Sequence, residues 1–281
     1  MQHYKRMKLS ISVVLFVFSW LVCLCFTKKA DISYDVGRVN LTEESNNLID
    51  NFLKNLKNKT KRSYRIQGGS DAKYTEAMFF VQILNLNDKE NLNMCGGFAI
   101  SRRFVVTTGH CFSKNENLSK ILLLMGSNSI FQGRKFMVKK IIHHETEDIA
   151  LVFVAQYIDY EKIINIASRG ERINSFATFY GFGIQKFVDS KPMLPKLLQK
   201  ATIKILTTKF TNNKYLFATT GNLESDDSGG AIIWREGGKM VAGGIYFGVD
   251  NSNNVQLFYR SVDFEYWINK MIAITLHDEE L

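Results

Sequence analysis

From Ile66 onward the chain is a succession of short apolar runs, each closed by Gly, Asn, Asp or Ser, and this pattern restricts the fold more than any other feature. The runs are Met78–Leu84, Phe98–Thr107, Ile121–Leu124, Phe136–Ile142, Ile149–Ala155, Ser175–Tyr180, Ala201–Leu206, Lys214–Ala218, Gly230–Trp234, Met240–Phe247 and Val255–Val262. Short apolar runs bounded by turn residues read as β-strands, and so many in series imply a sandwich or a barrel. The end of the chain differs. Phe264, Trp267, Ile268, Met271 and Ile272 share one helical face behind Asp263, a good N-cap residue, so a terminal helix is expected. With 2 Pro and 19 Gly in 281 residues, and no fixed-period repeat, collagen-like, proline-rich, solenoid and propeller architectures are excluded.

The front of the chain is different in kind. Lys5, Arg6 and Lys8 precede an uncharged run from Leu9 to Phe26, which is a secretory signal pattern. Cleavage after Cys25 places small residues, Cys23 and Cys25, at both recognised positions, giving a signal peptide over 1–25; the run is also long enough to act as a signal anchor. Residues 26–65 are polar and charged, with Leu48, Ile49, Phe52, Leu53 and Leu56 at helical spacing, and end in the basic cluster Lys61-Arg62-Ser63-Tyr64-Arg65. They read as a propeptide with one amphipathic helix and a protease-sensitive end. Asn40, Asn58 and Asn117 each open an N-glycosylation acceptor triplet, which again points to the secretory pathway.

The formal charge of +9 invites a nucleic-acid hypothesis, but its distribution removes it. Residues 1–65 hold 12 Lys/Arg against 5 Asp/Glu, leaving 24 against 22 for residues 66–281. The body is nearly neutral, so no nucleic-acid partner is expected, and a membrane partner only if the signal segment is retained. Removal of 1–25 leaves two cysteines, Cys95 and Cys111, expected to pair in an oxidising compartment; two Cys without a nearby ligand set make a poor metal site.

Catalysis by a serine nucleophile needs a base in hydrogen-bond reach, a carboxylate that fixes the base's tautomer, and amide donors for the oxyanion. Three segments offer these parts: Thr107-Thr108-Gly109-His110-Cys111, Asp148-Ile149-Ala150-Leu151 and Asp226-Asp227-Ser228-Gly229-Gly230. His143 and His144, the other candidate bases, stand in a charged loop with Glu145 and Glu147 and are expected to be solvated.

In this order and at this spacing, the three segments resemble the chymotrypsin-like (trypsin-like) serine protease family over residues 66–281. Cys95-Gly96-Gly97 is similar to the segment that opens the family's His loop, the Cys95–Cys111 pair to its His-loop disulfide, and Arg65-Ile66-Gln67-Gly68-Gly69 to its activation junction, cut after Arg65. The resemblance implies an all-β fold of two six-stranded antiparallel β-barrels, at about 66–165 and 166–281, with the active site between them and a C-terminal α-helix. It implies His110 as general base and then acid, Asp148 as its orienting carboxylate and Ser228 as nucleophile, with the amides of Asp226 and Ser228 as oxyanion hole. The ammonium freed at Ile66 is implied to pair with Asp227 and order the Ser228 loop.

Departures from the family pattern lie around the same loop. Asp226 stands where the family has Gly, in the oxyanion loop itself; Glu224 stands where it usually has a Cys; and Gly244-Ile245-Tyr246-Phe247-Gly248 replaces a strand that ends Ser-Trp-Gly. The substrate pocket is expected at Asn222, six residues before Ser228, with Phe247 and Gly248 as an aromatic wall and open edge and Leu257 on the opposite wall. Asn222 is neutral and gives no strong attraction for Arg or Lys. The sparse disulfides resemble those of secreted insect proteases. The resulting expectation is a secreted serine endopeptidase zymogen without metal or organic cofactor. Its partners would be a protein or peptide substrate, an activating protease and a protein inhibitor. The rival is a catalytically impaired homologue serving as a binding or regulatory partner.

Overall fold

The computed structural model describes residues 69–87, 93–113, 115–183, 186–188, 191–207, 210–223 and 225–280. Residues 1–65, expected to be signal peptide and propeptide and including Asn40, Asn58 and Arg65, lie outside them, as does Ile66. Six strands close the first barrel: β2 (Phe80–Asn85), β3 (Asn93–Ala99), β4 (Phe104–Thr107), β5 (Ile121–Met125), β6 (Arg134–His143) and β7 (Ala150–Val154), paired in the order β2-β3-β4-β7-β6-β5. A two-residue strand, β1 (Ser70–Asp71), precedes them.

The unbroken apolar runs of β5 and β7 have a direct cause in this packing. Alternate residues point to opposite faces of a strand, and here both faces are buried. Ile121, Leu123, Val152 and Val154 fill the barrel interior, while Leu122, Leu124, Leu151 and Phe153 join a second cluster that also holds Tyr180, Ile245, Tyr259 and Trp267 from the other half of the molecule. A strand buried on both sides loses the hydrophobic-polar alternation of a surface strand.

The second barrel is built from β9 (Phe176–Gly181), β12 (Gln199–Lys204), β13 (Leu216–Thr219), β14 (Ala231–Glu236), β15 (Lys239–Asp250) and β16 (Val255–Arg260), in the order β12-β9-β14-β15-β16-β13. It closes where Ile205 bridges Thr219 and the Leu206 amide donates to the Ala218 carbonyl at 2.8 Å. Its interior holds Phe179, Ile203, Phe217, Ile232, Tyr246 and Phe258. Strand β8 (Asn165–Ile166) pairs in parallel with β15, β1 extends the sheet beside β12, and β10 (Lys186–Val188) forms a hairpin with β11 (Lys191–Met193). The β14–β15 hairpin turns on Gly237 and Gly238, both at positive φ (55° and 81°), as a two-residue turn of matching twist requires.

The architecture is therefore the two-barrel, all-β fold with a terminal helix, and the sequence pattern departs from it in three places. The run Phe98–Thr107 is two strands: the Ile100 amide donates back to the Phe104 carbonyl at 3.0 Å, and Ser101–Arg103 make the turn. Strand β3 starts at Asn93 and runs through Gly96 and Gly97, residues that a propensity reading counts against a strand. At the C-terminus a 3-10 turn (Ser261–Phe264) leads into α1 (Glu265–Glu280). Asp263 lies inside that turn and not at a cap position, and its carboxylate accepts from Arg260 at 2.9 Å. The helix buries Trp267 and Ile268, and its far end is tied to the first barrel by Glu279, which accepts from Lys139 at 2.9 Å and Arg103 at 3.2 Å.

Candidate active site

Strand β4 runs out of the first barrel at Thr107, and the chain enters a 3-10 turn, Gly109–Cys111, pinned to β3 by the Cys95–Cys111 disulfide. His110 is thereby held at a strand end, half-exposed. Asp148, just before β7, reaches it twice: Oδ1 accepts the His110 backbone N–H at 2.7 Å, and Oδ2 lies 2.5 Å from the ring Nδ1. The Gly109 amide donates to the Asp148 carbonyl at 3.2 Å. A carboxylate accepts only, so this contact places the imidazole proton on Nδ1 and leaves Nε2 as an acceptor. Burial pushes the Asp148 carboxyl up, but the His110 ring and backbone outweigh it and hold the group below the ordinary carboxylate range.

Beneath Asp148 sits Tyr259 of β16, 3% exposed, whose hydroxyl accepts the Asp148 backbone N–H at 3.2 Å. Burial, reinforced by the Glu147 and Asp148 charges, pushes this phenol up to about 12. Phe247 of β15 packs on Tyr259 (ring centroids 5.3 Å) and presents an edge to the His110 ring at 6.5 Å.

The Ser228 turn is clamped from both barrels. The Ser228 carbonyl accepts the Gly96 amide at 2.8 Å, and on the other side Gly229 N–H donates to the Tyr246 carbonyl at 2.9 Å while Tyr246 N–H donates to the Gly230 carbonyl at 2.8 Å. Gly229 has φ of 80°, and a Cβ there would fall 2.0 Å from Thr107 Oγ1 and 2.5 Å from the Gly96 carbonyl oxygen. Only glycine allows this approach, which sets the Ser228 turn against Thr107, three residues before His110. Ser228 is 3% exposed.

Asp227, next to it, is 2% exposed and accepts the Gly183 amide at 2.7 Å. The carboxylate fits a cradle of two glycines at the end of β9: a Cβ on Gly181 would lie 2.0 Å from Asp227 Oδ1, and one on Gly183 2.1 Å from Oδ2. Asp226 is half-buried in the 3-10 turn Ser225–Asp227.

The residues expected to form a substrate pocket stand in different surroundings. Asn222 is exposed. Phe247 and Leu257 pack with the cluster between the barrels, whereas Gln256 and Phe258, the neighbours of Leu257 on β16, are buried toward the barrel interior. A Cβ on Gly248 meets no atom within 4 Å, so the strand edge there is open. Asn117 is exposed, with its Oδ1 accepting from the Ser119 amide at 3.0 Å and hydroxyl at 2.7 Å. His144 is not solvated as expected. It packs against Phe264 and Trp267 (centroids 5.3 and 5.0 Å), and its Nδ1 accepts the Glu147 amide at 3.1 Å, because the terminal helix covers the loop.

Tyr259, Gln256 and the Gly181–Gly183 cradle escaped the sequence reading. The Gly-Phe-Gly spacing at a strand end is itself a sign of close backbone approach, but what approaches it comes from forty-four residues away. Among the described residues there is no group of three or more His, Cys, Asp or Glu that could hold a metal ion, and no helix long and apolar enough to cross a membrane.

The chain is 24% identical over 249 residues to the urokinase-type plasminogen activator of Gallus gallus, covering 73% of this chain and 57% of that protein. It is 27% identical over 164 residues to transmembrane protease serine 11C of Mus musculus, covering 54% of this chain and 36% of that one. To coagulation factor XI of Bos taurus it is 26% identical over 164 residues, covering 53% and 26%. The chain thus spans less than two thirds of the length of each of these relatives. A family model described as Trypsin matches residues 66–268, the stretch that holds both barrels with His110, Asp148 and Ser228, and the chain accordingly belongs to the trypsin family of serine proteases.

Proposed function

We propose that the chain is a secreted zymogen of a serine endopeptidase, with residues 1–25 as signal peptide, 26–65 as propeptide and 66–281 as protease domain. The observation that carries this reading is the double grip of Asp148 on His110, through the backbone N–H and ring Nδ1, beside the turn that bears Ser228. In that arrangement His110 Nε2 takes the Ser228 hydroxyl proton as Oγ attacks the peptide carbonyl. It returns the proton to the leaving amine, and repeats the cycle with water on the acyl-enzyme. Asp148 keeps the tautomer and stabilises the imidazolium. The amides of Ser228 and Asp226 face the oxyanion, and the open edge at Phe247–Gly248 takes the extended substrate.

Activation follows from Asp227. Cleavage between Arg65 and Ile66 frees an ammonium that adds a counter-charge to the buried carboxylate in its glycine cradle, and the Ser228 turn orders around the pair. The test is hydrolysis of a peptide mixture before and after that cleavage. Turnover that appears on cleavage and vanishes in Ser228→Ala supports the proposal; cleaved protein that hydrolyses nothing, or hydrolyses equally as Ser228→Ala, overturns it.

Asp226 favours a second reading. A carboxylate in the oxyanion loop opposes developing negative charge, and loss of one oxyanion donor costs about 10²–10³ in turnover. If the chain is a catalytically impaired homologue acting as a binding partner, Asp226→Gly restores turnover that the natural chain lacks.

A further inference from the structure

Tyr246 is the residue of β15 to which the Ser228 turn is hydrogen-bonded, and its side chain points into the second barrel. The ring is 1% exposed and packs against Phe258 and Phe179, with centroids at 5.2 and 5.8 Å. Its hydroxyl donates to Gln256 Oε1 at 2.8 Å and lies 3.3 Å from the Leu223 carbonyl. Gln256, 2% exposed, passes the link on by donating Nε2 to the Gly221 carbonyl at 3.1 Å. Segment 221–223, which leads into the Ser228 turn, is thus stitched to β15 and β16 through one phenol and one carboxamide, while Asn222 is left exposed.

We propose that Tyr246 occupies from within the space that would receive the substrate side chain beside the scissile carbonyl, so that the site accepts Gly or Ala there and rejects large residues. This rests on Ser228 being the nucleophile. Segment 221–223 and β16 at Gln256 are tied through the Tyr246 hydroxyl and the Gln256 carboxamide to the stretch of β15 that the Ser228 turn is bonded to, and the Tyr246 ring lies among them. A Phe, Leu or Lys side chain would have to expel the ring and leave the Gln256 carboxamide without its buried partner, a loss of the kind that gives strong discrimination.

The experiment uses protein cut after Arg65 and three probes: a small alkyl fluorophosphonate, which reports Ser228 without needing a side-chain pocket, and peptidyl diphenyl phosphonates carrying an Ala or a Phe side chain at the reacting residue. The wild type is expected to react with the Ala probe at least about 10²-fold faster than with the Phe probe, and Tyr246→Ala to reverse the preference. A wild type that takes the Phe probe as fast as the Ala probe overturns the proposal, as does a Tyr246→Ala protein that keeps its fluorophosphonate reactivity without gaining Phe reactivity. If Tyr246→Ala does not fold, Tyr246→Leu serves with the same expectation in smaller measure. If the fluorophosphonate labels nothing, the protease reading fails, and the cavity is decided by p-cresol alone. Thermal stabilisation of the truncated variant but not the wild type by p-cresol supports the filled space; its absence overturns it.

Discussion

Replacing Gly183 by Ala tests the cradle that holds Asp227. The new Cβ would sit 2.1 Å from Asp227 Oδ2 and 2.4 Å from its Cγ, so the carboxylate must leave. It cannot move far with the chain, because the Asp227 carbonyl is fixed by the Gly230 amide at 3.0 Å. Departure breaks the 2.7 Å bond from the Gly183 amide to a carboxylate that is 2% exposed. A hydrogen bond to a charged group contributes about 1.5–3 kcal/mol, and its loss falls at the upper end where the carboxylate is buried, so we expect a cost of about 3 kcal/mol. For a domain of this size such a loss lowers Tm by roughly 6–12 °C. Urea unfolding followed by tryptophan fluorescence measures the stability change, and labelling by an alkyl fluorophosphonate measures the Ser228 turn, which we expect to slow at least about tenfold. Gly248→Ala, where a Cβ meets nothing within 4 Å, is the control and should stay within about 0.5 kcal/mol of the natural chain. A Gly183→Ala protein with the midpoint, slope and labelling rate of the natural chain would refute the cradle argument.

Three further changes have defined outcomes. Asp148→Asn exchanges an acceptor for a group whose NH2 can face Nδ1, freeing the other tautomer; turnover should fall by about 10⁴, the size carried over from the family, while the melting temperature moves far less. Tyr259 is protonated in both states below about pH 10, loses its proton only on unfolding between about 10 and 12, and so makes stability decline as pH rises through that window. Urea midpoints at about pH 9 and 11 should differ less in Tyr259→Phe, and an equal difference would remove the phenol from the account. Replacing Cys95 and Cys111 together by Ser opens a loop of sixteen residues' separation and should cost about 3 kcal/mol in the chain-entropy picture, read as a lower unfolding midpoint.

What could be read along the chain were features that depend on near neighbours. Short strands buried on two faces announce themselves as apolar runs, because such burial tolerates nothing else, as in Ile121–Met125 and Ala150–Val154. Helix α1 shows its Trp267–Ile268 face by spacing alone. Contacts between remote segments left no such trace. Gly96 and Gly97 argue locally against a strand, yet Gly96 is where the Ser228 turn docks, and a Cβ there would sit 3.0 Å from Gly230 Cα. His144 looks like a loop residue until Phe264 and Trp267 close over it. On β16 the strand period decides which residue faces the barrel, and it selects Gln256 and Phe258 over Leu257, a one-residue matter that no composition argument resolves. Tyr246 was visible as a departure from the family, but where its ring goes depends on the bulge between Tyr246 and Gly248.

The central claim is that Ser228 becomes a nucleophile because His110, oriented by Asp148, accepts its proton. Peptide mapping by mass spectrometry of the cut protein after brief exposure to an alkyl fluorophosphonate tests it most directly. The account predicts one phosphonyl adduct, on Ser228, formed at least about 10²-fold more slowly in His110→Ala; modification elsewhere with Ser228 untouched, or a Ser228 adduct that forms as fast without the imidazole, would contradict it.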